Sequence, residues 1–272
     1  MPPAVIDVRR ADDLRDVVHR TVQALAEGKL VAFPTETVYG LAVSALDANA
    51  VKRLAEVKQR GPEHPLALAV KSADEALDYV PDISPLGRRL ARRCWPGPVT
   101  LVLGDNHPDS LIRQLPNEVL KYIIPGNTLG LRVPGHQLVL DVLQLIAGPL
   151  ALTSANRTGQ ADAVTAQEVV GGLGDNVQLI LDDGRTQFGQ PSTVVQIDNN
   201  RMELLRQGVV PGTTIKRLAS FAILMVCSGN TCRSPMAEML MRKRLADKLR
   251  CEVDKRDQVF AVDRMGEPKR DR

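Results

Sequence analysis

Residues 30–42 run Leu30-Val31-Ala32-Phe33-Pro34-Thr35-Glu36-Thr37-Val38-Tyr39-Gly40-Leu41-Ala42. Four apolar residues closed by a proline read as a short strand buried on both faces. Proline has no amide hydrogen to give a sheet ladder, so the chain leaves the strand there. It leaves into hydroxyls and a carboxylate. Upstream, Leu14, Val17, Val18, Val22 and Leu25 recur at helical spacing across residues 11–28, and Gly28 supplies the stop. A helix feeding a buried strand is the unit from which α/β proteins are built, and strand ends are where they gather ligand-binding groups.

The same unit recurs downstream. Asp47 is placed to cap a helix running to Gln59, and residues 65–70 give the next strand. A helix from Ser84 to Cys94 leads to a strand from Val99 to Leu103. Leu129 to Val133 is a strand ended by Pro134, followed by a helix over 136–147, a strand from Leu150 to Thr153 and a short helix from Thr165 to Val170. Further strands are predicted at Leu179–Leu181, Thr193–Ile197 and Met202–Leu205, the last two joined by a turn at Asp198-Asn199-Asn200. The fold class is α/β. Residues 208–220 read as a connector. The pattern then restarts with a strand from Ala222 to Val226, a glycine-containing loop and a helix from about Ser234. Residues 250–272 are charged and poorly periodic, the composition of a solvated tail without a strand.

Composition closes off several function classes. The 272 residues suffice for one to two domains. Lys+Arg 35 against Asp+Glu 32 is too even for a dedicated nucleic-acid binder, and aromatic residues at 3% leave few rings for stacking on single-stranded bases. No apolar run approaches the ~18 residues of a membrane span. The first 18 residues mix charges of both signs without the apolar centre of a signal peptide. A cytoplasmic protein with no membrane association is expected. The cysteines, Cys94, Cys227, Cys232 and Cys251, form no CxxC pair and meet no histidine cluster, so no metal site is expected.

Polar clusters fall at strand or helix ends: residues 34–40, 58–65, Arg132-Val133-Pro134, Thr153-Ser154-Ala155-Asn156, Pro191-Ser192-Thr193 and Leu204-Leu205-Arg206. Together they offer several cations with hydroxyls and amides. Guanidinium forks suit carboxylates and phosphates, whereas no Ser-His-Asp order and no carboxylate pair stands out. The set suits binding and orienting an anionic substrate more than covalent catalysis.

In this order, FPTETVYGLA, KQRGPEHPL, WPGPVTLVL, GLRVPGH, LTSANRTG and STVV make residues 5–215 resemble the YrdC family of threonylcarbamoyl-AMP synthases. The resemblance implies a twisted mixed sheet flanked by helices. It also implies a nucleotidyltransferase that joins L-threonine, bicarbonate and ATP, with Mg²⁺ accompanying the ATP, into threonylcarbamoyl-adenylate and pyrophosphate. The adenylate serves threonylcarbamoylation of adenosine 37 in tRNAs reading codons that start with A, so the tRNA threonylcarbamoyl-transfer machinery is the implied partner. Carried onto matching positions, Lys58 and Arg60 are the catalytic cations, and with His64 they face the ATP phosphates. Thr37 contacts threonine, Arg132 pairs with its carboxylate, and Ser154 and Ser192 hold the same substrate. Thr128, Asn156 and Arg206 lie on the nucleotide side. Two positions depart from the family pattern. Ala69 stands where many relatives carry a histidine that helps hold threonine, and Asp162-Ala163-Val164-Thr165 replaces a Ser-Pro-Thr run. The rival reading is a non-catalytic relative that binds nucleotide, or RNA weakly, through the same basic cavity.

Residues 222–238 hold Cys227 and Arg233 at Cys-x5-Arg spacing between a strand and a helix start. Such a loop wraps backbone amides around a phosphate above a thiolate, and the helix N-terminus and arginine lower the thiol pKa. Ser234 is placed to hydrogen-bond that thiolate. The stretch resembles the low-molecular-weight protein-tyrosine phosphatase family, with Thr231 closer to its arginine-phosphatase branch. The resemblance implies Cys227 as nucleophile, Arg233 as phosphate clamp and Cys232 as a disulfide partner for Cys227. It covers residues 221–249 only, and no Asp-Pro general-acid pair follows residue 221. The expectation is a truncated remnant, a partial phosphatase P-loop βα unit that binds oxyanions without turnover. A working cysteine phosphatase in a bifunctional chain is the alternative.

Overall fold

The computed structural model describes residues 2–59, 61, 64–224, 233–249 and 260–263. The chain forms two compact units, Met1–Pro211 and Gly212–Arg272. In the first unit the strands are β1 (Ala4–Asp7), β2 (Val31–Phe33), β3 (Gly40–Ser44), β4 (Ala67–Ala69), β5 (Val99–Gly104), β6 (Thr128–Arg132), β7 (Leu150–Ser154), β8 (Leu179–Asp182), β9 (Thr193–Asp198) and β10 (Arg201–Arg206). Its helices are α1 (Leu14–Ala26), α2 (Ala48–Val57), α3 (Glu75–Tyr79), α4 (Pro85–Cys94), α5 (Asn117–Ile123), α6 (Gln137–Leu145) and α7 (Ala166–Leu173). The strands make one sheet in the order β1-β8-β2-β3-β7-β4-β6-β5-β9-β10, with parallel and antiparallel neighbours mixed.

Local chemistry sets where the helices begin. Asp47 Oδ1 accepts the Ala50 amide at 3.0 Å, and Ser84 Oγ accepts the Gly87 amide at 3.1 Å. Each such cap stabilises its helix by about 1 kcal/mol. Weak local signals explain what the sequence reading omits. Strand β1 has only three apolar residues, Ala4-Val5-Ile6, directly after two prolines, and β3 begins at the glycine that closes the polar stretch 34–40. Helices α3 and α5 are only one to two turns long.

The register decides what each sheet face does, because ladder partners project to the same side. Followed from strand to strand, one face carries Val31 and Phe33, Ala42, Leu150 and Leu152, and Ala67 and Ala69. It continues with Arg132 and Gly130, Val102 and Thr100, Val194 and Gln196, and Arg206. At the β1 end this face lies under α1 and α6, where Val17, Leu25, Leu138 and Val142 join Val31, Phe33 and Leu150 in one apolar cluster that reaches Ala69. Burying each such side chain stabilises the fold by about 1.5–3 kcal/mol. Toward β10 the same face lines a cavity. The opposite face is apolar there too: Leu68, Leu101, Leu129, Leu131 and Val195 are fully buried.

The second unit holds α8 (Gly212–Ala219), β11 (Phe221–Leu224), α9 (Arg233–Leu249) and β12 (Phe260–Asp263), with β11 and β12 paired in parallel. Two expectations are corrected here. The stretch read as a connector contains helix α8, whose Ile215 is buried. The stretch read as a tail contains strand β12, so this unit is a βαβ arrangement rather than one strand and one helix. Parallel strands need a long crossover, and α9 lies between them in the chain; the charges flanking Phe260-Ala261-Val262 dilute the apolar signal of β12. Cys227 and Cys232 lie outside the described residues. Arg233 is the first, exposed residue of α9, and Ser234 follows it within that helix. Among the described residues, no helix is long and apolar enough to cross a membrane.

Candidate active site

Strand alternation builds the floor of the cavity. Thr128, Gly130 and Arg132 of β6, Thr100 and Val102 of β5, and Val194 and Gln196 of β9 all line it, at every second position. Their odd-numbered neighbours go into the core behind. The walls come from Thr35 and Tyr39 after β2, Ser154 at the end of β7, Ser192 before β9 and Arg206 at the end of β10. The cavity holds about 290 Å³, near the lower end of the range for small-molecule sites.

Arg132 is the buried cation of this site. Its Nη2 donates to Glu36 Oε1 at 2.8 Å and to Thr37 Oγ1 at 3.0 Å, and its Nε donates to the Gly97 carbonyl at 3.3 Å. Arginine and glutamate side chains are only 8% and 5% exposed, so the ion pair is withdrawn from water. Nη1 makes no hydrogen bond to a described residue, and Arg132 borders the cavity. Thr37, expected against substrate, is instead fully buried behind Thr35, with its hydroxyl held by Arg132 and Thr35. Thr35 is the residue that lines the cavity. Ala69 is the ladder partner of Arg132 on β4 and is buried in the apolar cluster.

Lys58 departs from the expectation that it faces phosphates. It closes α2 with its side chain fully buried. Its Nζ donates to the Ser154 carbonyl at 2.8 Å, to Asn156 Oδ1 at 2.7 Å and to the Asn156 carbonyl. A buried ammonium needs three acceptors, and the turn after β7 supplies them across nearly a hundred residues of sequence. The same turn is tied further. Ser154 Oγ donates to Asn156 Oδ1 at 2.6 Å, Asn156 Nδ2 donates to the Gln160 carbonyl at 2.7 Å, and Thr158 Oγ1 donates to the Lys58 carbonyl. Ser154 reaches the cavity wall, whereas the Asn156 amide is spent on this network.

Across the cavity, Arg206 Nε and Nη2 donate to the Ser192 carbonyl at 3.2 and 3.0 Å, and Nη2 reaches Ser192 Oγ at 3.2 Å. Ser192 Oγ also pairs with Thr100 Oγ1 at 3.0 Å. Thr128 is on the floor, its hydroxyl donating to the Pro125 carbonyl at 3.4 Å. His64 is exposed, one residue ahead of Pro65, which lines the cavity. Arg60 lies outside the described residues. The structure therefore brings Arg132, Ser154, Ser192, Thr128 and Arg206 to one cavity, with Lys58, Thr37 and Asn156 in the layer behind. Glu36 and Thr100 were missed as site residues. The alternation of Thr100, Val102 and Gly104 with apolar neighbours was the available signal for Thr100; Glu36 had none beyond its place between two threonines.

Two buried groups are held protonated. Burial pushes the Tyr39 phenol up to about 12, and the hydroxyl donates to the Gly184 carbonyl at 2.7 Å. Burial likewise pushes the Cys94 thiol up to about 11, which keeps it protonated and inert. Among the described residues, no three His, Cys, Asp or Glu side chains converge to hold a metal ion.

Known proteins are similar to this chain in sequence and in fold. A protein named threonylcarbamoyl-AMP synthase from Pyrococcus abyssi is 38% identical over 196 residues, 71% of this chain and 54% of that protein. Another of the same name from Chromohalobacter salexigens is 33% identical over 193 residues, 71% of this chain and 97% of its own. The crystal structure of P. abyssi Sua5 complexed with L-threonine superposes with a TM-score of 0.69 at 25% identity, covering 97% of this chain and 84% of that one. Against the longer curated relatives, from P. abyssi and Bacillus subtilis, the chain spans about half their length. Residues 222–255 match the low molecular weight phosphotyrosine protein phosphatase family. Residues 23–208 match the profile described as "Telomere recombination", and on that span, two thirds of its length, the chain belongs to the Sua5/YciO/YrdC family.

Proposed function

We propose that the chain, through residues 5–215, makes L-threonylcarbamoyladenylate from L-threonine, bicarbonate and ATP. The observation that carries this reading is the buried Arg132 at a small cavity ringed by hydroxyls. A guanidinium there suits an α-carboxylate, and hydroxyls suit a small polar side chain. Relatives named for this activity, and a related structure that holds L-threonine, support it.

In the reaction the threonine amine bonds to the carbon of bicarbonate, water leaves and a carbamate forms. A carbamate oxygen then attacks the α-phosphorus of ATP, the bond to the bridging oxygen of the β-phosphate breaks, and pyrophosphate departs. No covalent enzyme intermediate is needed, so catalysis rests on positioning and on charge stabilisation. Arg132 holds the carboxylate, and Ser154 and Ser192 orient the rest of the amino acid. Arg206 and Thr128 serve the nucleotide side, and Arg60 and His64 the phosphates. Lys58 acts by fixing Ser154 and Asn156. Mg²⁺ would accompany the ATP, held largely by its phosphates and water, in keeping with a site where the described residues offer no cluster of carboxylates. In this reading the adenylate is delivered to the tRNA threonylcarbamoyl-transfer machinery, with the cytoplasm as the compartment.

The test is pyrophosphate release with mass detection of the adenylate, omitting ATP, L-threonine and bicarbonate in turn. Release that needs all three is the expected result. Folded protein that binds ATP yet releases no pyrophosphate with the full set would overturn the reading. For residues 221–249 the reading, which rests on Cys227, Cys232, Arg233 and Ser234 in the sequence alone, is an oxyanion-binding segment without phosphatase turnover. Aryl-phosphate hydrolysis abolished by Cys227→Ser would contradict it.

A further inference from the structure

We propose that Glu36 is a positioning residue for substrate recognition: it holds one arm of the Arg132 guanidinium so that the other is presented to the ligand carboxylate. The inference rests on the proposed threonine-binding reading of this cavity. Glu36 does not line the cavity, so it touches no ligand; it acts through Arg132.

Stability does not account for Glu36. A buried ion pair offsets its desolvation only when its remaining hydrogen-bonding positions are satisfied, and in this one they are not. Oε1 accepts Arg132 Nη2, but Oε2 is buried with no hydrogen-bond partner among the described residues. A carboxylate held at that cost does one thing well: with Thr37 Oγ1 it fixes Nη2, while the Gly97 carbonyl fixes Nε. Three contacts on one edge of a planar fork set its plane and leave Nη1 as the arm for an incoming carboxylate.

The surroundings hold Glu36 in turn. Its carbonyl accepts the Phe188 amide at 2.9 Å. Gly135 packs against its carboxylate: a Cβ there would sit 3.3 Å from Glu36 Cδ and 3.4 Å from both Oε1 and the Gly97 Cα. Gly97 is itself tied to the Arg132 strand, its amide donating to the Val133 carbonyl at 2.8 Å. Arg132 is thus enclosed by parts of three separate segments, and Glu36 is the one that carries charge.

The experiment measures steady-state kinetics of the full chain with L-threonine and ATP varied separately, for wild type, Glu36→Ala, Glu36→Gln and Gly135→Ala. Glu36→Ala is expected to raise the KM for threonine about tenfold or more, with the KM for ATP and kcat changed less than about twofold. Tenfold corresponds to about 1.4 kcal/mol. Glu36→Gln, which keeps an acceptor at Oε1, should recover part of that loss. Gly135→Ala, whose Cβ would crowd Glu36 and Gly97 first, should shift the same constant in the same direction. An unchanged KM for threonine in Glu36→Ala, or an equal rise in both KM values, would overturn the inference. If Glu36→Ala fails to fold, the Gln and Gly135 variants decide it by the same criterion. Wild type whose turnover ignores threonine would instead sink the functional reading beneath it.

Discussion

One face of the sheet changes character at β4. Toward β1 it lies under α1 and α6, and Val31, Phe33 and Leu150 vanish into an apolar cluster. Toward β10 the same face carries Thr100, Thr128, Gly130, Arg132 and Gln196 around a cavity. Backbone geometry is continuous across the change; what differs is the side chain at each second position. Helices seal the first half and give it stability. In the second half the core is supplied from behind, by Leu101, Leu129, Leu131 and Val195, which leaves the front for binding. Stability and recognition are thereby assigned to opposite ends of one surface.

Arg132→Ala should produce the largest effect, because it strikes both properties. It removes the proposed carboxylate contact, worth about 2–5 kcal/mol in a buried charge pair, so kcat/KM for threonine should fall at least about thirtyfold. It also strands the Glu36 carboxylate, which costs about 3–5 kcal/mol of stability. Adding Glu36→Ala should return much of that stability in denaturant melts and none of the activity. Recovery of both would erase the distinction between the two halves.

Phe33→Ala probes the sealed half alone. It should cost about 3–5 kcal/mol in urea unfolding, while the folded protein keeps its KM for threonine. A changed KM at unchanged stability would mean that the covered half also shapes the site.

Lys58→Met is expected to have a smaller effect on stability and a selective one on function. Its acceptors lose their donor, but Ser154 borders the cavity and water can replace the ammonium there, so the net loss is roughly 1–3 kcal/mol. Thermal melts should drop, and amide exchange should rise in residues 154–160 before it rises in the sheet. Unchanged exchange in that turn would show that Lys58 does not fix it.

The smallest effect concerns Tyr39. Its folded pKa, about 12, lies above the ordinary phenol value near 10. The unfolded chain therefore loses this proton first. The contribution to stability is intact below pH 10 and is lost as pH rises toward 12. Tyr39→Phe should flatten that alkaline loss and cost about 1 kcal/mol at neutral pH; an unchanged alkaline limb would show that the phenol is not the group responsible.

Much of this organisation is legible in the sequence, for reasons that are local. Asp47 is a helix cap read from a single residue, and Leu30-Val31-Ala32-Phe33-Pro34 announces its own strand. Arg132, Ser154, Ser192 and Arg206 are each read from a polar residue at a strand end. What escapes depends on distant contacts. Lys58 looks like a solvent-facing cation at a helix end, and only the turn after β7 reveals that it is buried. Glu36 looks like one more polar residue in a loop until β6 places Arg132 beside it. Strand β12 is hidden by the charges on either side of it.

The measurement that bears most directly on the division of the sheet face is a structure of the full chain with L-threonine bound. The expected result is a carboxylate on Arg132 Nη1, above the open half of the face and within reach of Ser154 and Ser192, with Glu36 still on Nη2. Threonine bound elsewhere at saturating concentration, or Arg132 swung away from Glu36 to meet it, would contradict the assignment.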